Sequence, residues 1–266
     1  MNFSGSDKQF NQLFNQSYQL IESLLNDTSI PKLEKAELAL KILEIGHQQQ
    51  TSESPNLYND NPEKTVEAIS LPAQFIQIEN FLSLEEHQAA LELAFANQER
   101  FFSSQVLNNA KEDRQSSVFV MKNIPDFYEM MRQKVLAVRP QVLEQLKIEP
   151  FLVSWLEMQL TAHNHGDFYK IHNDAAPGEH SWNRVLTYVY YFYQEPQSFY
   201  GGNLRIYDTI IQGDNVMIQD QFKIIEPQNN TIVFFDSRAK HEVMPVICPS
   251  QKFENGRFTI NGWIHR

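Results

Sequence analysis

From Phe151 to the C-terminus the chain is a succession of short strand-like runs cut by turns, and this texture leaves few architectures open. Residues 153–160 largely alternate apolar and polar side chains, as a strand with one buried face does. Residues 185–193 are β-branched and aromatic. Gly201-Gly202-Asn203 is a turn that leads into Leu204-Arg205-Ile206-Tyr207, and residues 231–235 are an apolar strand after the polar turn Pro227-Gln228-Asn229-Asn230. Residues 258–263 form the last strand. Ahead of this region, residues 75–78 read as one short strand. Ser83 with Glu86 three positions on is a capping-box pattern that opens a helix to about Arg100. A second helix is expected from Pro125 to about Leu146, broken or kinked at Pro140. Helices followed by many short strands predict an α+β, mainly β domain, a β-sandwich or jelly roll with helices packed on it.

The first 65 residues differ. Phe10, Leu13, Phe14, Ile21, Leu24 and Leu25 recur at helical spacing, and Leu33, Ala36, Leu40 and Leu43 repeat the pattern after Pro31. This predicts an N-terminal helical hairpin that packs on the main domain or on another chain, including as a homodimer contact. Residues 47–65 are polar and read as a linker. The expected division is therefore 1–65, hairpin and linker, and 66–266, the jelly-roll domain.

A net charge of -11, dispersed along the chain, argues against a nucleic-acid surface, because phosphate neutralisation needs clustered Lys and Arg. The one cysteine, Cys248, excludes an intrachain disulfide and any multi-cysteine zinc site. No signal peptide and no apolar run long enough to span a bilayer is visible, so a cytoplasmic protein without membrane partners is expected.

Histidines concentrate in the C-terminal part, and the sharpest local feature is His172-Asn173-Asp174. On extended backbone, residues two apart share a face, so His172 and Asp174 can offer a nitrogen and an oxygen to one ion. By itself such a triplet is weak evidence. His241, which follows the apolar strand 231–235, can face the pair across a sandwich. Two histidines and one carboxylate that leave other positions open make the facial triad of non-haem iron(II) oxygenases. Arg257 lies in a predominantly apolar strand, where an unpaired guanidinium is costly to bury. Its planar fork suits a bound carboxylate. Taken alone, however, it is more readily read as a salt bridge to one of the 33 acidic side chains.

The ordered set Gly166-x-x-Tyr169-x-x-His172-x-Asp174, Arg184-Val185-Leu186-Thr187, Gly201-Gly202-x-Leu204, His241-Glu242-Val243-x-Pro245-Val246 and Arg257 through Trp263 resembles the catalytic core of the iron(II)/2-oxoglutarate-dependent dioxygenases. The likeness is to the prolyl 4-hydroxylase-like branch and covers roughly residues 75–266. It implies a double-stranded β-helix with flanking helices, in which His172, Asp174 and His241 hold Fe(II) and Arg257 pairs with the distal carboxylate of 2-oxoglutarate. It places Tyr191 on that carboxylate too, and Asn261 where relatives often carry a small hydroxyl residue. The implied cofactors are Fe(II), 2-oxoglutarate and O2, with ascorbate as an accessory reductant.

The implied reaction is hydroxylation of an unactivated C–H bond in a prolyl or other residue of a protein or peptide, with release of succinate and CO2. A free amino acid or natural product is the alternative substrate, and a non-catalytic jelly-roll binding module ranks lower. Arg184 either contacts substrate or anchors the loop after the metal pair, and Trp263, on the same face as Asn261, lines the pocket. Two departures from the branch stand out. His163 occupies a position where relatives commonly carry tyrosine, and the stretch between His241 and Arg257 is longer, which reads as a loop insertion. His163 and His165 are expected at the pocket rim or in solvent rather than at a second metal.

Overall fold

Period-two alternation explains how the domain is layered. A computed structural model describes residues 68–104, 113–121, 124–177 and 179–266. The helical hairpin, linker and hairpin-mediated dimer expected over 1–65 lie outside the described residues. In chain order come β1 (Ile69–Leu71), β2 (Ile76–Glu79), α1 (Leu84–Ala96), β3 (Phe102–Ser103), β4 (Arg114–Gln115), β5 (Ser117–Val120) and α2 (Pro125–Leu146). Then follow β6 (Trp155–His163), β7 (Phe168–His172), β8 (Arg184–Phe192), β9 (Tyr200–Gly201), β10 (Leu204–Gln212) and β11 (Asn215–Ile225). The last are β12 (Thr231–Asp236), β13 (His241–Val243), β14 (Val246–Ile247) and β15 (Arg257–His265).

Two sheets form the roll. One has the order β2-β12-β8-β15-β6-β5-β3, the other β1-β10-β13-β7-β4, with β11 also on β10. On the larger sheet, Leu186, Tyr188, Tyr190 and Phe192 of β8 join Leu160, Phe234, Phe258 and Ile260 in a core with Ala90, Leu91 and Ala94 of α1 and Met131, Val135 and Leu143 of α2. The intervening residues point between the sheets, because successive side chains on a strand face opposite ways. There Tyr191, Val233 and Phe235 meet Leu204, Ile206, Ile225 and Ala239. Each such side chain fully removed from water contributes about 1.5–3 kcal/mol. The helices thus cover one face of the large sheet, and the jelly-roll interior occupies the other.

Local signals account for the helix ends. The Ser83 hydroxyl accepts from Glu86 N at 3.2 Å and the Glu86 carboxylate accepts from Ser83 N at 2.8 Å, the reciprocal capping box. Helix α1 stops at Ala96, short of the expected Arg100, because the Asn97 amide turns back onto the Leu93 carbonyl and a 3-10 turn, Gln98–Arg100, follows. Helix α2 runs through Pro140 to Leu146 and closes with Lys147 in the left-handed region, φ 56°. Beyond the expected strands, β10 runs past Tyr207 to Gln212 and turns into β11, where Gln212 pairs with Asn215 around Gly213-Asp214. Gly213 adopts φ +60°, and a glycine-aspartate pair between Ile-rich runs was the available signal.

In β15, close packing dictates the residue type at Gly262. A Cβ there would stand 1.9 Å from the Glu157 carbonyl oxygen, onto which the Tyr188 hydroxyl donates at 2.8 Å. No other side chain fits between β6 and β8 at this point.

Candidate active site

Strand register brings the three candidate metal ligands together. In the β13–β7 pairing His241 lies opposite His172. Past the end of β7 the backbone N–H groups of Asp174 and Ala175 both donate to the Ser237 carbonyl, at 2.9 Å each, which turns Asp174 inward. One ligand atom from each of His172, Asp174 and His241 lies within 4.8 Å of the others, a spacing suited to a single metal ion. His172 Nε2 is 3.7 Å and His241 Nε2 3.4 Å from the Asp174 carboxylate.

The surroundings fix the donor atoms. His172 Nδ1 lies 2.7 Å from the Lys170 carbonyl and His241 Nδ1 2.9 Å from that of Ala239. A carbonyl only accepts, so each Nδ1 carries the proton and each Nε2 lone pair faces the shared point. Burial, and after it His241, hold the His172 imidazole down at about 3, so it is neutral as a metal ligand must be. Burial alone would raise the Asp174 carboxyl. His241 and His172, and after them the Trp263 indole and the Thr187 hydroxyl, outweigh it and bring the carboxyl below its usual range. Tyr169 stacks on His172 with centroids 3.5 Å apart, and Phe235 packs edge-on to His241 at 4.7 Å.

Thr187 stood in the Arg184–Thr187 motif without a role assigned to it. Its hydroxyl donates to Asp174 at 2.8 Å and in turn accepts from the Ser237 hydroxyl at 2.9 Å. Replacing Thr187 with valine keeps the shape and removes this support. The expected result is a ~10–100-fold loss of metal affinity with an unchanged melting temperature, as for other groups that orient metal ligands. A chelator-competition titration measures it.

Arg257 stands at the start of β15, 1% exposed, and pairs with no carboxylate among the described residues. The salt bridge that the residue taken alone suggested is therefore not found there. Its Nη1 donates to His163 Nδ1 at 3.1 Å, and its guanidinium lies 4.8 Å from the Tyr191 ring centre. Arg257 Nε and the Tyr191 hydroxyl are both buried without a hydrogen-bond partner. Burial lowers the Arg257 pKa and raises that of Tyr191, which leaves a charged donor beside a neutral one. A buried cation with its Nε unpaired and a tyrosine hydroxyl beside it is the chemistry of an anion site. Gly202, at φ +69°, keeps the room for it: a Cβ there would meet Arg257 Cδ at 2.7 Å.

A cavity of about 480 Å³ joins the two features and is lined by His172, Asp174, His241, Arg257, Tyr191 and Asn261 among others. Asn261 turns its side-chain oxygen to the Thr161 hydroxyl at 2.8 Å. Arg184 lines the wall already engaged. It donates to both Glu157 oxygens at 3.1 and 2.9 Å and to the Asp174 carbonyl at 3.2 Å, and it lies over Trp263 at 3.8 Å. This geometry braces the metal loop. His163 is buried deep in the pocket rather than at its rim, whereas His165 is exposed. Arg114, which no sequence signal marked, also lines the cavity, 4.9 Å over the Tyr169 ring and with no ion-pair partner among the described residues.

Fold and site together make a jelly roll in which a buried arginine without a carboxylate partner shares one cavity with an open His/Asp/His trio. The profile of the 2OG-Fe(II) oxygenase superfamily matches residues 158–265. An uncharacterized PKHD-type hydroxylase of Synechocystis sp. is 38% identical over 280 residues, spanning 96% of this chain and 92% of that protein. The chain belongs to the 2OG-Fe(II) oxygenases, and its cofactors are Fe(II), 2-oxoglutarate and dioxygen. Among solved structures, a prolyl-4-hydroxylase of Pseudomonas putida aligns with TM-score 0.50 and 20% identity over 72% of this chain and 92% of that one. A Trichoplax adhaerens prolyl hydroxylase, solved with a hypoxia inducible factor peptide fragment, aligns with TM-score 0.52 and 18% identity over 72% and 83%. The α-ketoglutarate-dependent epimerase SnoN of nogalamycin biosynthesis gives 0.51 and 10% over 72% and 78%. These structural likenesses establish the fold. Among the described residues no helix is long and apolar enough to cross a membrane.

Proposed function

We propose that the protein is a hydroxylase acting on a prolyl or other residue of a protein or peptide. The reaction takes up one dioxygen and one 2-oxoglutarate, places one oxygen atom on a C–H carbon, and releases succinate and CO2. The observation that carries this reading is the buried Arg257 without a carboxylate partner, in the same cavity as an open His/Asp/His trio. His172, Asp174 and His241 would hold Fe(II), and bound iron with its keto acid supplies the oxidising chemistry. Arg257, with the Tyr191 hydroxyl, would receive the distal carboxylate. Asn261 and the Thr161 hydroxyl shape the floor of that pocket. Arg184 positions the Asp174 backbone through its pair with Glu157, and Trp263 closes the wall beside it.

The cavity volume suits 2-oxoglutarate and one substrate side chain together, within the usual range for small-ligand sites. Arg114 and Tyr169 stand on the metal side, where a peptide carbonyl can take an arginine donor. Incubation with Fe(II), 2-oxoglutarate and proline-containing peptides should add one oxygen to a peptide, read by mass spectrometry, with CO2 released in equal amount. Turnover on free amino acids with every peptide unchanged would move the assignment to a small-molecule substrate.

A further inference from the structure

Arg257 has one side-chain acceptor among the described residues, and that acceptor is an imidazole. The two residues are register partners on β15 and β6, so the Nη1 to Nδ1 bond of 3.1 Å spans neighbouring strands on the cavity face. Both are buried, at 1% and 5% exposure. Gly202 leaves free the space beside the Arg257 Cδ that a Cβ would enter, at 2.7 Å. An imidazolium has no lone pair to offer, so His163 must be neutral with its proton on Nε2. Burial first, then the charges of Arg257 and Arg114, keep it so. A carboxylate at this place would orient the arginine and also cancel its charge. A neutral ring orients it and leaves the charge intact.

We propose that His163 is a positioning residue for the cosubstrate: it holds the Arg257 fork toward the distal carboxylate without neutralising it, and so sets the preference for keto acids that end in a carboxylate. The proposal rests on the reading of Arg257 as the anchor. It deepens that reading by assigning a neutral acceptor to the selection of the second acidic group.

The test is calorimetry on the Mn(II)-loaded protein with two ligands: 2-oxoglutarate, and 2-oxobutyrate, which keeps the keto acid and lacks the distal carboxylate. His163→Phe keeps a ring and removes the acceptor. It should weaken 2-oxoglutarate about tenfold or more, the usual worth of a hydrogen bond to a charged group, and leave 2-oxobutyrate within about twofold. His163→Asn, whose amide oxygen can stand where Nδ1 stood, should recover most of the loss. His163→Leu serves the same comparison if the phenylalanine variant does not fold. Equal weakening of both ligands, or no rescue by asparagine, overturns the proposal and leaves His163 a packing residue. Arg257→Met separates the two levels. If it weakens 2-oxoglutarate while the His163 variants do not, only the role of His163 falls; if it leaves 2-oxoglutarate unchanged, the anchor reading itself fails.

Discussion

His241→Ala should abolish turnover, by at least ~10³-fold in CO2 release from 2-oxoglutarate, and the purified protein should retain little iron. Loss of a mere supporting contact to a metal ligand typically costs 10–100-fold, and here the proposed ligand itself is removed. His241 is buried, its Nδ1 is committed to the Ala239 carbonyl, and its Nε2 faces Asp174. Among the described residues the site offers one candidate trio of metal ligands. Exposed His165, varied in parallel, should keep full metal content and activity. Metal analysis alongside the CO2 assay distinguishes lost iron from a misfolded chain. A variant that still bound one iron per chain and turned over within tenfold of the parent would remove His241 from the metal centre.

Arg257→Ala is expected to act on a different quantity. Iron should bind as before, while 2-oxoglutarate affinity falls by ~10²–10³-fold, because removing one partner of a buried ion pair costs ~3–5 kcal/mol. Most of the effect should fall on the KM for 2-oxoglutarate. The ligand-free protein offers a second, independent reading. In it Arg257 is a buried charge with a neutral imidazole and no carboxylate for company. Its removal should therefore leave the ligand-free melting temperature about level, or raise it, despite the lost packing. In the parent, 2-oxoglutarate should raise the melting temperature as any ligand of the folded state does, and in the variant this shift should vanish. Unchanged cosubstrate affinity would show that Arg257 is charged for some other purpose.

The candidate metal trio was legible because its parts are local. His172 and Asp174 sit two apart, which on extended backbone places them together, and His241 follows an unmistakable apolar strand. The capping box of α1, the proline start of α2, the alternation along β6 and the β-branched, aromatic run of β8 carried the outline of the jelly roll in the same way. What supports the centre was less legible. Thr187 is one of several threonines in strand sequence, and nothing nearby says that its hydroxyl meets Asp174 and Ser237. Arg114 stands in a two-residue strand with no periodicity to read. His163 was visible only as an oddity before the metal pair, and the reading of it as rim or surface missed its depth.

The amino-acid order alone settled which face of each strand is apolar, where the helices begin, and which side chains are chemically able to bind a metal or an anion. It could do so because these properties depend on neighbours a few residues away. Strand register was left to the tertiary structure. Pairing β15 with β6 sets Arg257 against His163, and pairing β13 with β7 sets His241 against His172, across separations of 94 and 69 residues. A slip of one residue in either ladder would turn every inward side chain to the opposite face. Only the packing of two whole sheets and two helices has enough buried surface to hold that choice, so the chemistry of the site is a property of the closed roll.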